Sequence, residues 1–119
     1  MQTLLIIDDD EPSRILLKEL LRDHNVKILE AADGKEAQLI FEAYTSEIVL
    51  VLLDIQLPDI CGFELITNFR KIKHDISVIA ISANPPESTK EECKNLGFDN
   101  LLSKPFSFGD FTDMINKFI

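Results

Sequence analysis

Residues 48–53 read "IVLVLL", six apolar residues in a row between Glu47 and Asp54. A strand with one wet face would alternate apolar and polar residues. An unbroken run of this length predicts a strand covered on both faces, as at the centre of a parallel sheet. Thr3 to Ile7, Val26 to Ala31, Ser77 to Ile81 and Asn100 to Ser103 read as the other strands. Between them, apolar residues recur every three or four positions. "EPSRILLKELLRDH", starting at Glu11, aligns Leu16, Leu17, Leu20 and Leu21, with Pro12 at a first-turn position where no donor is lost. "DGKEAQLIFEAY", from Asp33, aligns Ala37, Ile40, Phe41 and Tyr44, and "GFELITNFRKI", from Gly62, aligns Leu65, Phe69 and Ile72. A fourth helix is expected to open on Ser88 and Glu91, which have capping-box spacing, and to stop at Gly97. A fifth, Phe108 to Phe118, shows a stripe of Phe108, Phe111, Ile115 and Phe118 that reads as core. Five strand-then-helix units predict an α/β fold: a doubly wound five-stranded parallel sheet with five helices on its two faces.

The 119 residues suit a single domain spanning 1–119. With 45% hydrophobic and 28% charged residues the composition is that of a globular chain. No apolar run approaches the roughly 18 residues that span a membrane, so none is expected as a partner. The amino end lacks a basic segment followed by a long apolar one, and a cytoplasmic location is expected. A net charge of −9 argues against direct contact with nucleic acid, whose phosphates reward Lys and Arg clusters. The basic cluster "RKIKH", Arg70 to His74, reads as a solvated helix end suited to the dipole. Cys61 and Cys93 are too few for a disulfide framework or a four-ligand zinc site and are expected to be reduced thiols. His24 and His74 lack ligand-like spacing.

In such folds ligands bind beyond the carboxyl ends of the strands, where strand order reverses. The first strand runs into Asp8, Asp9 and Asp10, the third into Asp54, the fourth into Ser82, and the fifth into Lys104 and Pro105. The second, ending in "EAADGKE", offers only a helix start. If the first and third strands are neighbours, about 4.8 Å apart, their terminal carboxylates share one cleft. Each then raises the cost of ionising the next unless a cation neutralises them. Mg²⁺ suits that place, because it takes oxygen ligands and bridges carboxylates to phosphate. Lys104 adds a positive charge able to pair with Asp54 at rest and with a phosphoryl oxygen later, and Ser82 adds a hydroxyl. Together these describe a phosphate site with a carboxylate at its centre.

The whole chain resembles a response-regulator receiver domain of the chemotaxis CheY type. The likeness rests on "IIDDDEPSR" for the acidic pair and on "LLDIQLPDICG" for an acceptor Asp54, with Pro58 and Gly62 four and eight residues later. "IAISAN" supplies the hydroxyl, and "LLSKPF" the lysine and its following proline. The resemblance implies strand order 2-1-3-4-5 and assigns roles. Asp54 would accept a phosphoryl group from a phosphohistidine. Asp9, Asp54 and the backbone carbonyl of Gln56 would ligate Mg²⁺ (Mn²⁺ as a substitute), with Asp8 acting largely through water. Ser82 would hydrogen-bond the phosphoryl group and Lys104 would pair with it. The implied partners are a histidine kinase or histidine phosphotransfer protein and a downstream protein. The chain would be a signalling phosphoacceptor that promotes its own phosphorylation and dephosphorylation rather than an enzyme. In the family an arginine often follows the second acid by five residues, and Arg14 follows Asp9 by five, leaving Asp10 as a helix cap or solvent-facing residue.

Two features depart from the family pattern. Leu101 stands where many receivers place an aromatic residue three positions before the lysine, and "SANPPESTK" puts Pro85 and Pro86 in the loop expected to change shape. They leave open a binding module with an impaired switch, as against one that switches the face formed by the fourth helix, fifth strand and fifth helix. A haloacid-dehalogenase-type phosphatase would need a second aspartate two residues after the nucleophile, where Gln56 stands. Because the chain ends with its fifth helix, it reads either as a stand-alone regulator or as a receiver cut from a hybrid kinase or longer regulator.

Overall fold

The computed structural model describes residues 1–119. Its elements alternate as β1 (Gln2–Ile7), α1 (Glu11–Leu20), β2 (Val26–Ala31), α2 (Gly34–Ala43), β3 (Ile48–Asp54), α3 (Gly62–Ile72), β4 (Ser77–Ala83), α4 (Glu87–Asn95), β5 (Asn100–Lys104) and α5 (Phe108–Ile115). The strands form one sheet in the order β2-β1-β3-β4-β5, and every pairing is parallel. The predicted doubly wound fold is therefore the observed one. β3 lies between β1 and β4, and every residue of it except Val49 is buried, which is why its run is apolar without alternation.

Strand alternation sorts the core into two layers. Leu5, Ile7, Val51, Leu53, Val78 and Ala80 pack under α2, α3 and α4, where Phe41 and Phe69 stack with ring centroids 4.2 Å apart. Leu4, Ile6, Leu50, Leu52, Ile79 and Ile81 meet Leu17 and Leu21 on the α1 side, and Phe111, Met114 and Ile115 of α5. No helix is long and apolar enough to cross a membrane.

Several local expectations are corrected. α4 does not open on a Ser88–Glu91 capping box. Pro86 is its N-cap, with no side-chain cap, and its carbonyl accepts from the N–H groups of Thr89 and Lys90. Two successive prolines fix the entry to the helix before Ser88 is reached. At the other end the Gly97 expectation holds: Gly97 has φ +81°, with Gly97 N–H on the Lys94 carbonyl and Phe98 N–H on that of Cys93, a Schellman closure. Leu16 and Phe108, assigned to core stripes, are half or more exposed, as helical spacing marks a face wider than the sheet covers. Tyr44 and Ile72 are exposed for the same reason. The "RKIKH" stretch is more than a solvated end. Arg70 donates to the Gly97 carbonyl and Asp99, and Lys73 Nζ donates to the carbonyls of Thr45 and Ile48.

The stacked Phe41–Phe69 pair gives the larger layer its bulk. Phe41→Ala is expected to cost about 3–5 kcal/mol of folding stability, read from the urea midpoint at unchanged slope.

Candidate functional site

Strand order reverses between β1 and β3, and the acidic residues stand there. Asp8 follows β1, and Asp54 is the last residue of β3. Both are buried, whereas Asp9 and Asp10 are exposed. Carboxylate oxygens of Asp8, Asp9 and Asp54 all lie within 4.8 Å of one another. Asp10 is outside this cluster. Its side chain caps α1, accepting from the Ser13 N–H at 3.2 Å and from the Ser13 hydroxyl at 2.7 Å, so the capping expectation holds.

Asp8, Asp54 and Lys104 lie at even steps from Ile6, Leu52 and Leu102, and so belong to the α1–α5 side of the sheet. Lys104 Nζ stands 3.1 Å from Asp8 Oδ2 and 3.9 Å from Asp54 Oδ2. The lysine expected to pair with Asp54 thus leans on Asp8, the deeper carboxylate, and its third neighbour is the Ser13 hydroxyl at 3.5 Å. Ser82 is buried near the end of β4, beside Ile81, the register partner of Asp54. Alternation assigns Ser82 to the opposite side with Val78 and Ala80, and it forms no side-chain hydrogen bond to Asp8, Asp54 or Lys104. Gln56 is exposed just beyond β3, and its N–H donates to Asp54 Oδ1 at 2.9 Å.

Burial pushes the Asp54 carboxyl up to about 6. The Gln56 N–H pulls it down, the charge of Asp8 adds to the rise, and Lys104 opposes it. Three clustered carboxylates thus have one ammonium, that of Lys104, beside them. Clustered hard oxygen donors with that deficit suit a small divalent cation such as Mg²⁺.

Two contributors escaped the sequence reading. Arg14, which served there only as a register mark, donates Nη1–H to the Asp8 carbonyl at 2.6 Å and Nε–H to Glu30 at 3.2 Å, and so ties the β1–α1 turn to β2. Asp59, inside the acceptor motif, accepts from the Gly34 N–H at 2.8 Å and the Lys35 N–H at 3.0 Å. The first of these bonds leads in holding its carboxyl below the usual range. Its partners lie 25 and 24 residues away, and an acid beside Pro58 carries no local signal of them.

The family model of the response regulator receiver domain matches residues 4–116. The chain belongs to the response regulator receiver family. This receiver is 30% identical over 118 residues to sporulation initiation phosphotransferase F of Bacillus subtilis (strain 168), covering 99% of this chain and 94% of that protein. It is 34% identical over 110 residues to the KDP operon transcriptional regulatory protein KdpE of Escherichia coli (strain K12), covering 92% of the receiver but 48% of that regulator. The receiver thus spans about half the length of that relative. Among solved structures, a chain of the CheX–CheY–BeF3–Mg²⁺ complex from Borrelia burgdorferi superposes with a TM-score of 0.91 at 26% identity, covering 99% of the receiver and 90% of that chain. A receiver domain protein from Clostridium thermocellum matches the fold with a TM-score of 0.90 at 24% identity, covering 98% and 93%.

Because the folded-state pKa of Asp54, about 6, lies above the ordinary 3.8, folding favours its protonated form. That contribution is complete below about pH 3.8 and is lost as pH rises through about 6. Neutral Asp54→Asn should keep it, so in metal-free buffer the variant is expected to be more stable than the parent by roughly 1–2 kcal/mol near pH 7, with no gain near pH 4. Urea unfolding at the two pH values checks this.

Proposed function

We propose that residues 1–119 form one receiver domain that accepts a phosphoryl group on Asp54 from the phosphohistidine of a histidine kinase or histidine phosphotransfer protein and passes the signal to a downstream protein. The observation that supports this best is the position of Asp54. It is a buried carboxylate ending the central strand, with two further carboxylates within 4.8 Å and a lysine ammonium 3.9 Å away.

In the transfer, an Asp54 carboxylate oxygen attacks phosphorus, a P–O bond forms, and the P–N bond breaks to a donor imidazole that carries a proton on its other ring nitrogen, leaving an acyl phosphate and a neutral imidazole. The carboxyl titrates at about 6, so the nucleophile is mostly ionised near neutral pH. Its Oδ1 is held by the Gln56 N–H, which leaves Oδ2, the atom facing Lys104, for the incoming group. Lys104 moves a short way from Asp8 to pair with the phosphoryl oxygens, since phosphoryl transfer needs alignment and charge neutralisation above all. Asp9, Asp54 and the Gln56 carbonyl would hold Mg²⁺, with Asp8 orienting the site. The ion would supply positive charge to the phosphoryl oxygens. A solved relative captured with BeF3 and Mg²⁺ supports this assignment. Ser82, one residue past the β4 partner of Asp54 and on the other side of the sheet, would turn its hydroxyl toward the new group and draw the β4–α4 loop with it.

That loop favours a second reading, a receiver that binds without switching. Asn84 sits at φ +45°, a left-handed conformation, directly before Pro85 and Pro86. Saturation with beryllofluoride separates the two: shifted α4 and β5 resonances fit the switch, and unchanged ones fit the binding module.

With acetyl phosphate and Mg²⁺ the chain is expected to gain one phosphoryl group by intact mass, and Asp54→Ala to gain none. Labelling that survives in Asp54→Ala would sink the assignment. Asp9→Ala should slow labelling by at least about tenfold, the scale of a lost contribution to the metal. Asp10→Ala should leave labelling within about twofold while costing about 1 kcal/mol of stability as a lost helix cap.

A further inference from the structure

The segment between β3 and α3 is a closed loop. Its mouth is shut by the antiparallel bridge between Gln56 and Cys61, which is made through the Gly62 N–H on the Ile55 carbonyl at 3.1 Å. Its tip, Leu57 to Ile60, reaches across to the amino end of α2. There the two Asp59 oxygens divide between successive N–H groups, Gly34 on Oδ1 and Lys35 on Oδ2, with the negative charge at the positive end of the helix dipole. Next to that contact Ile60 packs so closely on Gly34 that an added Cβ would lie 1.7 Å from Ile60 Cγ2. Glycine is needed at position 34 for this approach, whatever its backbone angles.

α2 has a cap of its own in Asp33, which accepts from the Glu36 N–H at 2.8 Å, while Glu36 accepts from the Ala32 N–H, one residue before the cap, at 3.0 Å. The Asp59 bonds take up two first-turn N–H groups that Asp33 leaves, those of Gly34 and Lys35, and they also fix the position of the loop. Gln56 lies in that loop, with its N–H already spent on Asp54. Its peptide is held upstream by the nucleophile and downstream by whatever holds the tip.

We propose that Asp59 is a positioning residue that, by anchoring the β3–α3 loop to α2, fixes where the Gln56 carbonyl points and so sets the affinity of the acidic cluster for a divalent cation. The inference rests on the phosphoacceptor reading, in which that carbonyl is a metal ligand. It also makes α2, which offers no residue to the site, part of its support.

The test is Mg²⁺ titration of the full chain by calorimetry, alongside labelling by acetyl phosphate across a range of Mg²⁺ and a thermal melt. Asp59→Ala is expected to weaken Mg²⁺ binding about tenfold, the lower end for residues that orient metal ligands. Labelling at saturating Mg²⁺ should stay within about twofold of the parent, so the defect is one of affinity. Asp59→Asn, which keeps one acceptor oxygen, should fall between the two and guards against misfolding of the alanine variant. Parental Mg²⁺ affinity in both variants, with only the melting temperature lowered, would overturn the proposal by making Asp59 a structural brace. A parent chain that takes up neither Mg²⁺ nor a phosphoryl group would overturn the phosphoacceptor reading itself, and this inference with it.

Discussion

The parallel pairing of β1 with β3 is the constraint on which the rest of the molecule depends. It places Leu53 opposite Ile7, so that the residues that follow them, Asp54 and Asp8, stand at the same level. Carboxylates so placed oppose one another's ionisation, and the surrounding groups are organised about that repulsion. Lys104 arrives from β5, two strands away, and Arg14 holds the Asp8 backbone from α1. The cluster is a stored electrostatic cost that the fold maintains because β1 and β3 are needed side by side to build both core layers.

Support for the site is graded with distance from the sheet. Asp8 and Asp54 sit on or beside strands, with little freedom to move. Lys104 ends an edge strand, and its ammonium is shared among Asp8, Asp54 and Ser13. Such an arrangement lets a cation redistribute without unfolding anything, since the three partners stand at 3.1, 3.9 and 3.5 Å from the same ammonium. Ser82 and Asn84 lead into a loop whose proline pair limits how far the chain can follow.

The fold was legible because "IVLVLL" has one sensible environment, and because strand ends in a parallel sheet gather at one rim. Asp8, Asp9, Asp54 and Lys104 could be gathered from sequence on that ground alone, and the structure does bring them together. What sequence could not rank was distance. It offered no reason for Lys104 to prefer Asp8, whose deeper burial strengthens its pull. Helical stripes overstated burial at Leu16 and Phe108, since spacing identifies a face but not how much of it the neighbours cover. The α4 cap failed because a side-chain motif was read where two prolines had already set the backbone. Contacts such as Asp59 with α2 join residues too far apart in the chain for any local pattern to announce them.

α4 differs from the other helices in the chemistry of its surface. Of its nine residues only Cys93 is buried, as only Leu17 is in α1, but here the other eight are all polar or charged. A substitution at almost any other position of this helix touches no core contact and costs the fold little. The helix can therefore accumulate change while the sheet and the acidic rim stay fixed, and new surface chemistry can arise there without passing through an unstable ancestor.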